Sequence, residues 1–431
     1  MSLVSGKNPH YNLIMKKMNR SLYVLMSLML LPGMLFAGDA AETKSVSESF
    51  GLDLNNPLPN WVDSSREKEQ DIRAIRGVPA AVTPSDFRIP AEYEPVGAVV
   101  LGWAGYSSML TGIAKAASAA GAQVWAIGGP SSIGVANYFS VPLRIDTVWV
   151  RDYGPFGISS KSNTPGIVDA IYRHYQYRVH DDAIPQQLGR AKGINVYGMN
   201  IILDGGNLMV DSYGNLFMTN RTYLWNRHLS REQVDSALKT ALRVKNIIVF
   251  DYAGYPNEPE DGTGHIDMFM KLLNDHTVLI AKSSDEPYKS NNDKAIKFFQ
   301  NRKAPDGHPY KVITAKGWVD GGAWYTFTNS LIVNNTVVMP SYRGRQAEEQ
   351  EAIAAYQAGI PGVKVVPVNS DSSIVAGGSI HCVTQTIPVL PKNKAAVFAD
   401  GKAVPVEFNP SDSEVMLPAS PLLKQLQSLA E

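Results

Sequence analysis

The chain has 431 residues, and its 40 basic and 40 acidic side chains leave a formal net charge of zero. Hydrophobic residues make up 44% of it, which is typical of a globular core and excludes a largely disordered chain. The balanced charge gives no overall attraction to nucleic acid or to an anionic membrane. We therefore expect a small-molecule or peptide partner; the sequence does not indicate an oligomeric state.

The first 40 residues resemble an export signal. Lys16, Lys17 and Arg20 precede an apolar run over residues 22–36, and small residues follow at positions 38–40. A basic patch, an apolar run of this length and small residues at cleavage spacing are typical of a signal peptide. Residues 1–40 are therefore predicted to be removed, with the residues before Met15 as an upstream extension, and the mature protein to be periplasmic or secreted. An uncleaved N-terminal anchor is the alternative.

The remaining chain is predicted to contain one large domain. Residues 41–84 are rich in proline and polar residues and read as an irregular lead-in. Residues 85–431 are predicted to form a single catalytic domain that includes a short C-terminal tail of a strand or two and a helix.

A strand, strand, helix, strand unit recurs after residue 95. Strands separated by Asn- or Gly-containing turns are followed by amphipathic segments, and Ser230 with Gln233 matches a helix capping box. The predicted strands are 216–218, 247–250, 268–273, 277–281, 331–333, 337–339 and 363–368, and the predicted helices are 230–242 and 346–356.

Polar residues mark the start of each unit at similar intervals. Asp152, Asp204, His265, Asn329 and Cys382 are separated by 52, 61, 64 and 53 residues. Because a module with one apolar face must bury it against a neighbour, this spacing predicts five pseudo-symmetric ββαβ modules around an axis, an α/β five-bladed propeller. The modules would then pool their polar residues in one central site. An open α/β sheet is the alternative.

Cys382 is the only cysteine of a chain that is predicted to be exported. Exported proteins normally use cysteines in disulfide pairs, so a single thiol indicates a nucleophile, although a small buried apolar residue is the alternative. His265 and Asp267 alternate along a putative strand and would face the same side. His381 would point away from Cys382 on its own strand and is predicted to be a packing residue.

Asp152 and Asp267 together favour a cationic substrate. Two carboxylates in a confined site need a compensating cation, and a planar guanidinium can bridge them, with Trp149 stacked on its face. Cys382 could then attack the central carbon while His265 protonates the leaving nitrogen and later activates water. This chemistry needs neither metal nor cofactor, and the scattered histidines do not match a compact metal site.

The motifs WVRDYGP, DGGN, GHID and GGSIHC carry a resemblance to a known family. In order and spacing they resemble the agmatine deiminase and bacterial (Porphyromonas-type) peptidylarginine deiminase family of the guanidine-modifying superfamily, which has the five-bladed pentein fold. The resemblance covers residues 85–390 or so. It implies Cys382 as nucleophile, His265 as acid and base, Asp152 and Asp267 as guanidinium ligands, and Trp149, Asp204 and Asn329 at the pocket.

Substrate choice depends on Arg173 and Arg178. In the secreted bacterial peptidylarginine deiminase that this chain resembles, two arginines of a Tyr-Asn-Arg-Pro-Arg segment bind a C-terminal carboxylate. Neither of these arginines aligns directly with an arginine of this chain. Arg173 and Arg178 either replace them or are solvated loop charges. The main prediction is conversion of peptidyl-arginine to citrulline, and the alternative is conversion of agmatine to N-carbamoylputrescine. An amidinotransferase and a non-catalytic guanidinium-binding protein are less favoured.

Overall fold

A computed structural model describes residues 44–71, 78–255, 258–259, 261–391, 393–399 and 402–408. The described residues from 44 to 391 form one compact unit, and residues 393–399 and 402–408 belong to a second. The described part of that second unit is an antiparallel hairpin of Asn393–Ala399 and Lys402–Phe408. The predicted signal peptide and the tail after residue 408 lie outside the described residues.

Ten α-helices occur in the part of the chain that the structure describes. They are α1 Val46–Ser49, α2 Ser107–Ala119, α3 Val150–Tyr153, α4 Val179–Asp182, α5 Ile184–Lys192, α6 Arg221–Trp225, α7 Arg231–Leu242, α8 Tyr288–Gln300, α9 Gln346–Gly359 and α10 Asp371–Ile374. None of the helices in these described ranges is both long and apolar enough to cross a membrane.

Twenty strands belong to the main unit. They are β1 Phe87–Arg88, β2 Ala98–Gly102, β3 Gln123–Ile127, β4 Tyr138–Val141, β5 Phe156–Ser160, β6 Pro165–Ile171, β7 Asn195–Ile202, β8 Met209–Val210, β9 Asn215–Thr219, β10 Asn246–Phe250, β11 Gly254–Tyr255, β12 Glu258–Pro259, β13 Met270–Asn274, β14 Thr277–Lys282, β15 Lys311–Asp320, β16 Ala323–Thr326, β17 Leu331–Val333, β18 Thr336–Ser341, β19 Lys364–Asn369 and β20 Thr384–Ile387.

Five sheets share one order of elements, two antiparallel strands and then a helical crossover to a third, parallel strand. The sets are β5, β6, β7; β8, β9, β10; β13, β14, β15; β17, β18, β19; and β20, β2, β3. Helices α5, α7, α8, α9 and α2 respectively lie in the crossovers. The predicted strand, strand, helix, strand unit is therefore confirmed, and the fold is mixed α/β.

The fifth sheet joins distant parts of the chain. Strand β20 pairs with β2 across nearly 300 residues, with Leu101 opposite Thr384 and Ala98 opposite Ile387. Every residue of β2 is buried, because β20 and β3 cover its two edges and helices α2 and α3 pack against it. An apolar Ala-Val-Val-Leu sequence fits a strand that is covered on both faces.

Two short segments differ from the predicted strands. His265 precedes a 3-10 turn, Ile266–Met268, and the strand starts only at Met270. Residues 380–383 are likewise outside any strand, and β20 starts at Thr384. Strand alternation therefore does not decide where the side chains of His265, Asp267 and His381 point.

Candidate active site

Each of the five modules presents a buried polar residue just before its first strand. Asp152 lies in α3, Asp204 precedes a 3-10 turn, His265 precedes another, and Asn329 and Cys382 come directly before β17 and β20. All five are 0% exposed. Equivalent positions in the modules thus explain the regular spacing of these residues in the sequence.

The thiol lies beside an amide and a carboxylate. Sγ of Cys382 is 3.3 Å from Nδ2 of Asn329 and 3.8 Å from Oδ2 of Asp267. Oδ1 of Asn329 accepts hydrogen bonds from the backbone N–H groups of Ser379 and Cys382, at 3.0 and 3.4 Å. Asn329 therefore holds the turn that carries the nucleophile as well as contacting its sulfur.

The imidazole of His265 lies between two carboxylates. Its Nε2 is 3.1 Å from Oδ2 of Asp204, and its Nδ1 is 3.6 Å from Oδ1 of Asp152. The ring edge of Trp225 packs against it at a centroid distance of 5.9 Å. Both neighbouring carboxylates favour the protonated ring.

Gly206 lies where the side chains around Cys382 meet those around His265. A Cβ atom at this position would lie 2.5 Å from Nδ1 of His265, 2.8 Å from Oδ1 of Asp152 and 3.2 Å from Oδ2 of Asp267. The Gly206 N–H also donates to Oδ1 of Asp152, at 3.0 Å. Imidazole and both predicted guanidinium ligands therefore surround one point, and a side chain there would collide with them.

Two polar atoms at this point have no hydrogen-bond partner among the described residues. They are Oδ1 of Asp267 and Nδ1 of His265, and both are buried. Buried polar atoms are normally paired, so a free oxygen on the carboxylate that contacts the thiol is consistent with a site for a donor-rich ligand.

His381 faces the site, and the prediction that it is a packing residue is wrong. Its Nδ1 is 2.7 Å from Oδ2 of Asp267 and its Nε2 is 2.5 Å from Oε2 of Glu92. Residues 380–383 form a turn, so neighbouring side chains do not alternate between opposite faces as they would on a strand. Both imidazole nitrogens meet carboxylates, a pairing that fixes Asp267 beside the thiol.

Glu92 and Lys271 continue this network, and the sequence reasoning missed both. Glu92 pairs with Lys271 at 2.5 Å and lies 3.7 Å from the guanidinium of Arg151. Lys271 is 1% exposed within the apolar strand β13. A lysine at a buried strand position was the available signal, because such a charge needs a partner. Arg151 also fits its predicted role as a structural ion-pair partner.

Burial and neighbouring charges give the carboxyl groups of Asp152 and Asp204 different pKa values. Burial, reinforced by Asp204 and Asp267, raises the pKa of Asp152 to about 6 against the opposing effect of His265. Burial also acts to raise the pKa of Asp204, but Arg173 and His265 outweigh it and hold that pKa at about 2. Asp204 is thus the fixed negative charge beside the imidazole.

The pKa values of the Cys382 thiol and the His265 imidazole are both shifted upward. Burial, followed by the charges of Asp267 and Asp152, raises the pKa of the Cys382 thiol well above its ordinary value. Burial alone would lower the pKa of His265, but Asp152 and Asp204 shift it upward overall. A bound cation would offset the carboxylate charges and make the thiolate easier to form.

Trp149 and Arg173 lie at the site. Trp149 is fully buried, and a Cβ atom on Gly378 would lie 2.8 Å from its ring and 2.7 Å from Sγ of Cys382. Nε of Arg173 is 3.1 Å from Oδ2 of Asp204. Arg173 is therefore an ion-pair partner of Asp204, and its interpretation as a solvated loop charge is wrong.

Arg178 is also not a solvated charge. It is 0% exposed, and its Nε and Nη2 lie 2.7 and 3.0 Å from the two carboxylate oxygens of Glu67. It thus binds a carboxylate, but one that belongs to the irregular lead-in of the same chain.

Asn60 of the same lead-in was missed entirely. Its Nδ2 donates to Oδ2 of Asp152 at 2.9 Å, and the residue is 0% exposed. A polar residue in a proline-rich segment gives no sequence signal of a contact with Asp152, 92 residues away.

The ligand atoms of Asp152, Asp204 and His265 lie within 4.8 Å of one another, a spacing that also suits a metal ion. Arg173 and Asn60, however, already engage carboxylate oxygens of this set. The arrangement in the structure is therefore that of an ion-pair and hydrogen-bond network.

Comparisons with known proteins place this geometry in a family. The profile of the Porphyromonas-type peptidyl-arginine deiminase family matches residues 88–388. A putative agmatine deiminase of Marinomonas sp. (strain MWYL1) is 26% identical over 361 residues, covering 70% of this chain and 94% of that protein. The agmatine deiminase of Ectopseudomonas mendocina is 26% identical over 294 residues, covering 58% and 77% respectively.

Solved structures show the same fold. An agmatine deiminase of Enterococcus faecalis superposes with a TM-score of 0.63 at 22% identity, covering 73% of this chain and 99% of that one. A putative arginine deiminase from Porphyromonas gingivalis gives a TM-score of 0.61 at 22% identity, covering 70% and 98%. Since the family profile spans more than half of the sequence, the chain belongs to the Porphyromonas-type peptidyl-arginine deiminase family.

Proposed function

We propose that the protein hydrolyses the guanidino group of agmatine to a ureido group and ammonia through a covalent intermediate on Cys382. One observation carries this proposal. Sγ of Cys382 lies 3.8 Å from Oδ2 of Asp267, the oxygen that lies near Gly206 together with Asp152 and His265. Oδ1 of Asp267 is buried and has no hydrogen-bond partner among the described residues. Thiol, imidazole and two carboxylates thus lie close together, and their charges and hydrogen-bonding groups suit a planar cation.

Substrate binding would activate the nucleophile. The guanidinium donates hydrogen bonds to Asp152 and Asp267, and its charge counteracts the effect by which these carboxylates raise the pKa of Cys382. The thiol loses its proton to solvent, and the thiolate then attacks the guanidinium carbon, forming a C–S bond and a tetrahedral centre. Asp152 and Asp267 remain bound to the nitrogens and hold the carbon in place.

His265 supplies and recovers the proton. As imidazolium it protonates one nitrogen, which leaves as ammonia when its C–N bond breaks, and a thiouronium remains on Cys382. The neutral ring then takes a proton from water, whose oxygen attacks the same carbon. The C–S bond breaks to regenerate the thiolate of Cys382, the hydroxyl proton passes to the departing ammonia or to solvent, and the ureido product is released.

Agmatine is proposed over peptidyl-arginine because of the named relatives. Several proteins that match this sequence are named agmatine deiminases, including those of Ectopseudomonas mendocina and Pseudomonas fluorescens. The comparisons therefore support the alternative of the sequence analysis better than its main prediction. The product from agmatine would be N-carbamoylputrescine.

Arg221 favours a second candidate, a substrate that carries a carboxylate. The guanidinium carbons of Arg221 and Arg173 lie 5.3 and 5.0 Å from the ring centroid of Trp225, which contacts His265. Arg221 is 8% exposed, and among the residues that the structure describes its Nε has no hydrogen-bond partner and no carboxylate forms an ion pair with it. Arg173 is already paired with Asp204, but the Arg221 guanidinium would attract an arginine or peptide carboxylate and repel the ammonium of agmatine.

Product analysis tests the reaction and the substrate together. Purified protein is incubated separately with agmatine, free arginine and peptides that end in arginine, and ammonia and ureido product are measured. We expect release of both in equal amounts, fastest from agmatine, and loss of both in Cys382→Ala. Ammonia release at the wild-type rate by Cys382→Ala would overturn the nucleophile, and transfer of the amidino group to an added amine would indicate an amidinotransferase.

Arg221→Gln separates the two substrates. If a carboxylate is bound, the substitution raises KM for arginine-ended peptides and leaves KM for agmatine unchanged or lower. Surface residue Arg343 provides a matched Arg343→Gln control, because it is exposed. Equal effects of Arg221→Gln on both substrates would exclude the carboxylate candidate.

Two further proposals concern architecture and location. We propose that the five ββαβ sheets close into a ring, supported by the equivalent position of one site residue in each sheet and by the pairing of β20 with β2. A crystal structure would show or refute the closure. We also propose export, supported by the signal-like N-terminal sequence; N-terminal sequencing of protein recovered from cell fractions tests it.

A further inference from the structure

A segment that precedes the family-matched region passes over the candidate active site. Residues 52–67, here called the strap, precede the matched residues 88–388. Pro59 and Asn60 are buried, whereas the neighbouring residues Asn56 and Trp61 are exposed. The middle of the strap is therefore buried against the domain, and residues on either side of it are exposed.

Side chains of the domain form hydrogen bonds with the backbone of the strap. Four consecutive carbonyl oxygens of the strap, at positions 58–61, accept hydrogen bonds from three side chains of the domain. Nε1 of Trp149 donates to the first at 3.0 Å and Nη2 of Arg173 to the third at 3.1 Å. Nη2 of Arg178 donates to the second and the fourth, at 2.8 and 2.7 Å.

Two more contacts fix the position of the strap. The backbone N–H of Asn60 donates to the carbonyl of Ala376, at 2.8 Å, in the segment that leads to Cys382. Glu67 forms the paired ion contact with Arg178. Two-point contacts between arginine and carboxylate are among the stronger polar interactions, so Glu67 anchors the end of the strap.

The side chain of Asn60 takes the place of a substrate nitrogen. Its Nδ2 donates to Oδ2 of Asp152 at 2.9 Å, which is the oxygen left after Oδ1 accepts from Gly206. A guanidinium needs the same acceptor. With the strap in this position Asp152, Asp267 and Cys382 are all 0% exposed, so substrate cannot reach them.

We propose that the strap is an autoinhibitory segment that must move away from Asp152 before substrate binds. In this arrangement the Asn60 amide is a neutral substitute for the guanidinium of the substrate. This proposal rests on the proposed function. A neutral amide makes a weaker hydrogen bond to a carboxylate than a guanidinium does, so substrate can displace Asn60 once the strap loosens. The strap therefore reduces apparent affinity, and its release increases turnover at low substrate concentration.

Weakening the strap in the full chain tests the proposal. Asn60→Ala removes the contact with Asp152, and Glu67→Gln removes the anchoring charge. Each is expected to lower KM for agmatine by about tenfold with kcat little changed, because a hydrogen bond to a charged group contributes roughly that factor. Asp53→Asn is the matched control. Asp53 is an exposed carboxylate of the strap, and its side chain accepts a hydrogen bond from the backbone of the strap itself.

Alkylation of Cys382 supplies a readout that does not depend on turnover. Cys382 is the only cysteine of the chain, so iodoacetamide labels a single thiol, and the limiting rate above the pH midpoint of labelling reports access to the site. We expect labelling to be about tenfold faster in Asn60→Ala and Glu67→Gln than in wild type and Asp53→Asn. Circular dichroism and thermal unfolding confirm that each variant is folded.

The outcomes distinguish the strap from the reaction. Faster labelling without ammonia release from any guanidine would refute the proposed function and retain the strap. Unchanged labelling and unchanged KM in both folded variants would refute the strap and retain the function. A fall in kcat/KM of Asn60→Ala despite faster labelling would also overturn autoinhibition, because Asn60 would then assist substrate binding.

Discussion

At the scale of single residues, Asp267 connects the nucleophile to a buried chain of charges. It lies 3.8 Å from the thiol and 2.7 Å from His381, which in turn contacts Glu92. Burial alone would raise the pKa of Asp267, but the hydrogen bond from His381 shifts it downward overall. Asp267 therefore stays ionised beside a thiol whose pKa its charge helps to raise.

Replacing Asp267 by asparagine is expected to have opposite effects on acidity and on turnover. After burial, Asp267 is the largest cause of the raised pKa of Cys382, so Asp267→Asn lowers that pKa and moves the pH midpoint of thiol alkylation downward. Turnover should fall on the order of a hundredfold, since a charged ligand of the reacting group is lost. Iodoacetamide labelling across pH and steady-state kinetics measure the two effects.

The exposed residue Asp293 gives the control for that experiment. It pairs with Lys289 on the surface, and Asp293→Asn should leave both profiles unchanged. An Asp267→Asn midpoint that stays in place or moves upward would show that this carboxylate does not act on the thiol.

At the scale of elements, helix α7 illustrates how a local signal is realised in the structure. The Ser230 hydroxyl accepts from the Gln233 N–H at 3.3 Å, and the Gln233 side chain accepts from the Ser230 N–H at 2.7 Å. The helix buries Val234 and Leu238 on one face. Its start is therefore determined locally and its orientation by packing.

Ser230→Ala is expected to destabilise the protein without affecting catalysis. Loss of the cap leaves N–H groups at the helix start unsatisfied, which costs about 1 kcal/mol of unfolding free energy. Urea unfolding measures the change, and kcat and KM should match those of wild type because Ser230 is not among the residues of the candidate site. Exposed Ser290, inside helix α8, gives a Ser290→Ala comparison, and equal stability of the two variants would argue against the cap.

At the scale of the whole molecule, the chain ends of the catalytic unit meet in one sheet. Strand β20, which follows Cys382 directly, pairs with the fully buried β2. The sheet order is β20, β2, β3, β4, so removal of β20 exposes an edge of β2. The fold and the placement of the nucleophile therefore depend on the same long-range pairing.

Two truncations test this dependence. A chain that ends at Pro391 retains the compact unit over residues 43–391 and should unfold cooperatively, as the full chain does. A chain that ends at Val383 lacks β20 and should lose cooperative unfolding, because β2 then carries unpaired backbone groups and uncovered apolar surface. Differential scanning calorimetry compares them, and similar transitions for both would show that β20 is dispensable.

The sequence by itself determined the repeat and identified the residues of the candidate site. Regular intervals from Asp152 to Cys382 predicted five equivalent modules, and the apolar strands and the Ser230 capping box are local signals that the structure retains. These features were readable because periodicity and capping depend on neighbours in the chain. The positions of Asp204 and Asn329 at the site followed from the same spacing.

Only the tertiary structure decided how the site is closed and charged. Tight turns at residues 265–268 and 380–383 turn His381 toward Asp267, contrary to strand alternation. Contacts of Asn60 with Asp152 and of Glu67 with Arg178 span 92 and 111 residues. No local sequence pattern predicts these contacts. They form because separate elements of the chain pack together, and they do not depend on the residues next to each partner in the sequence.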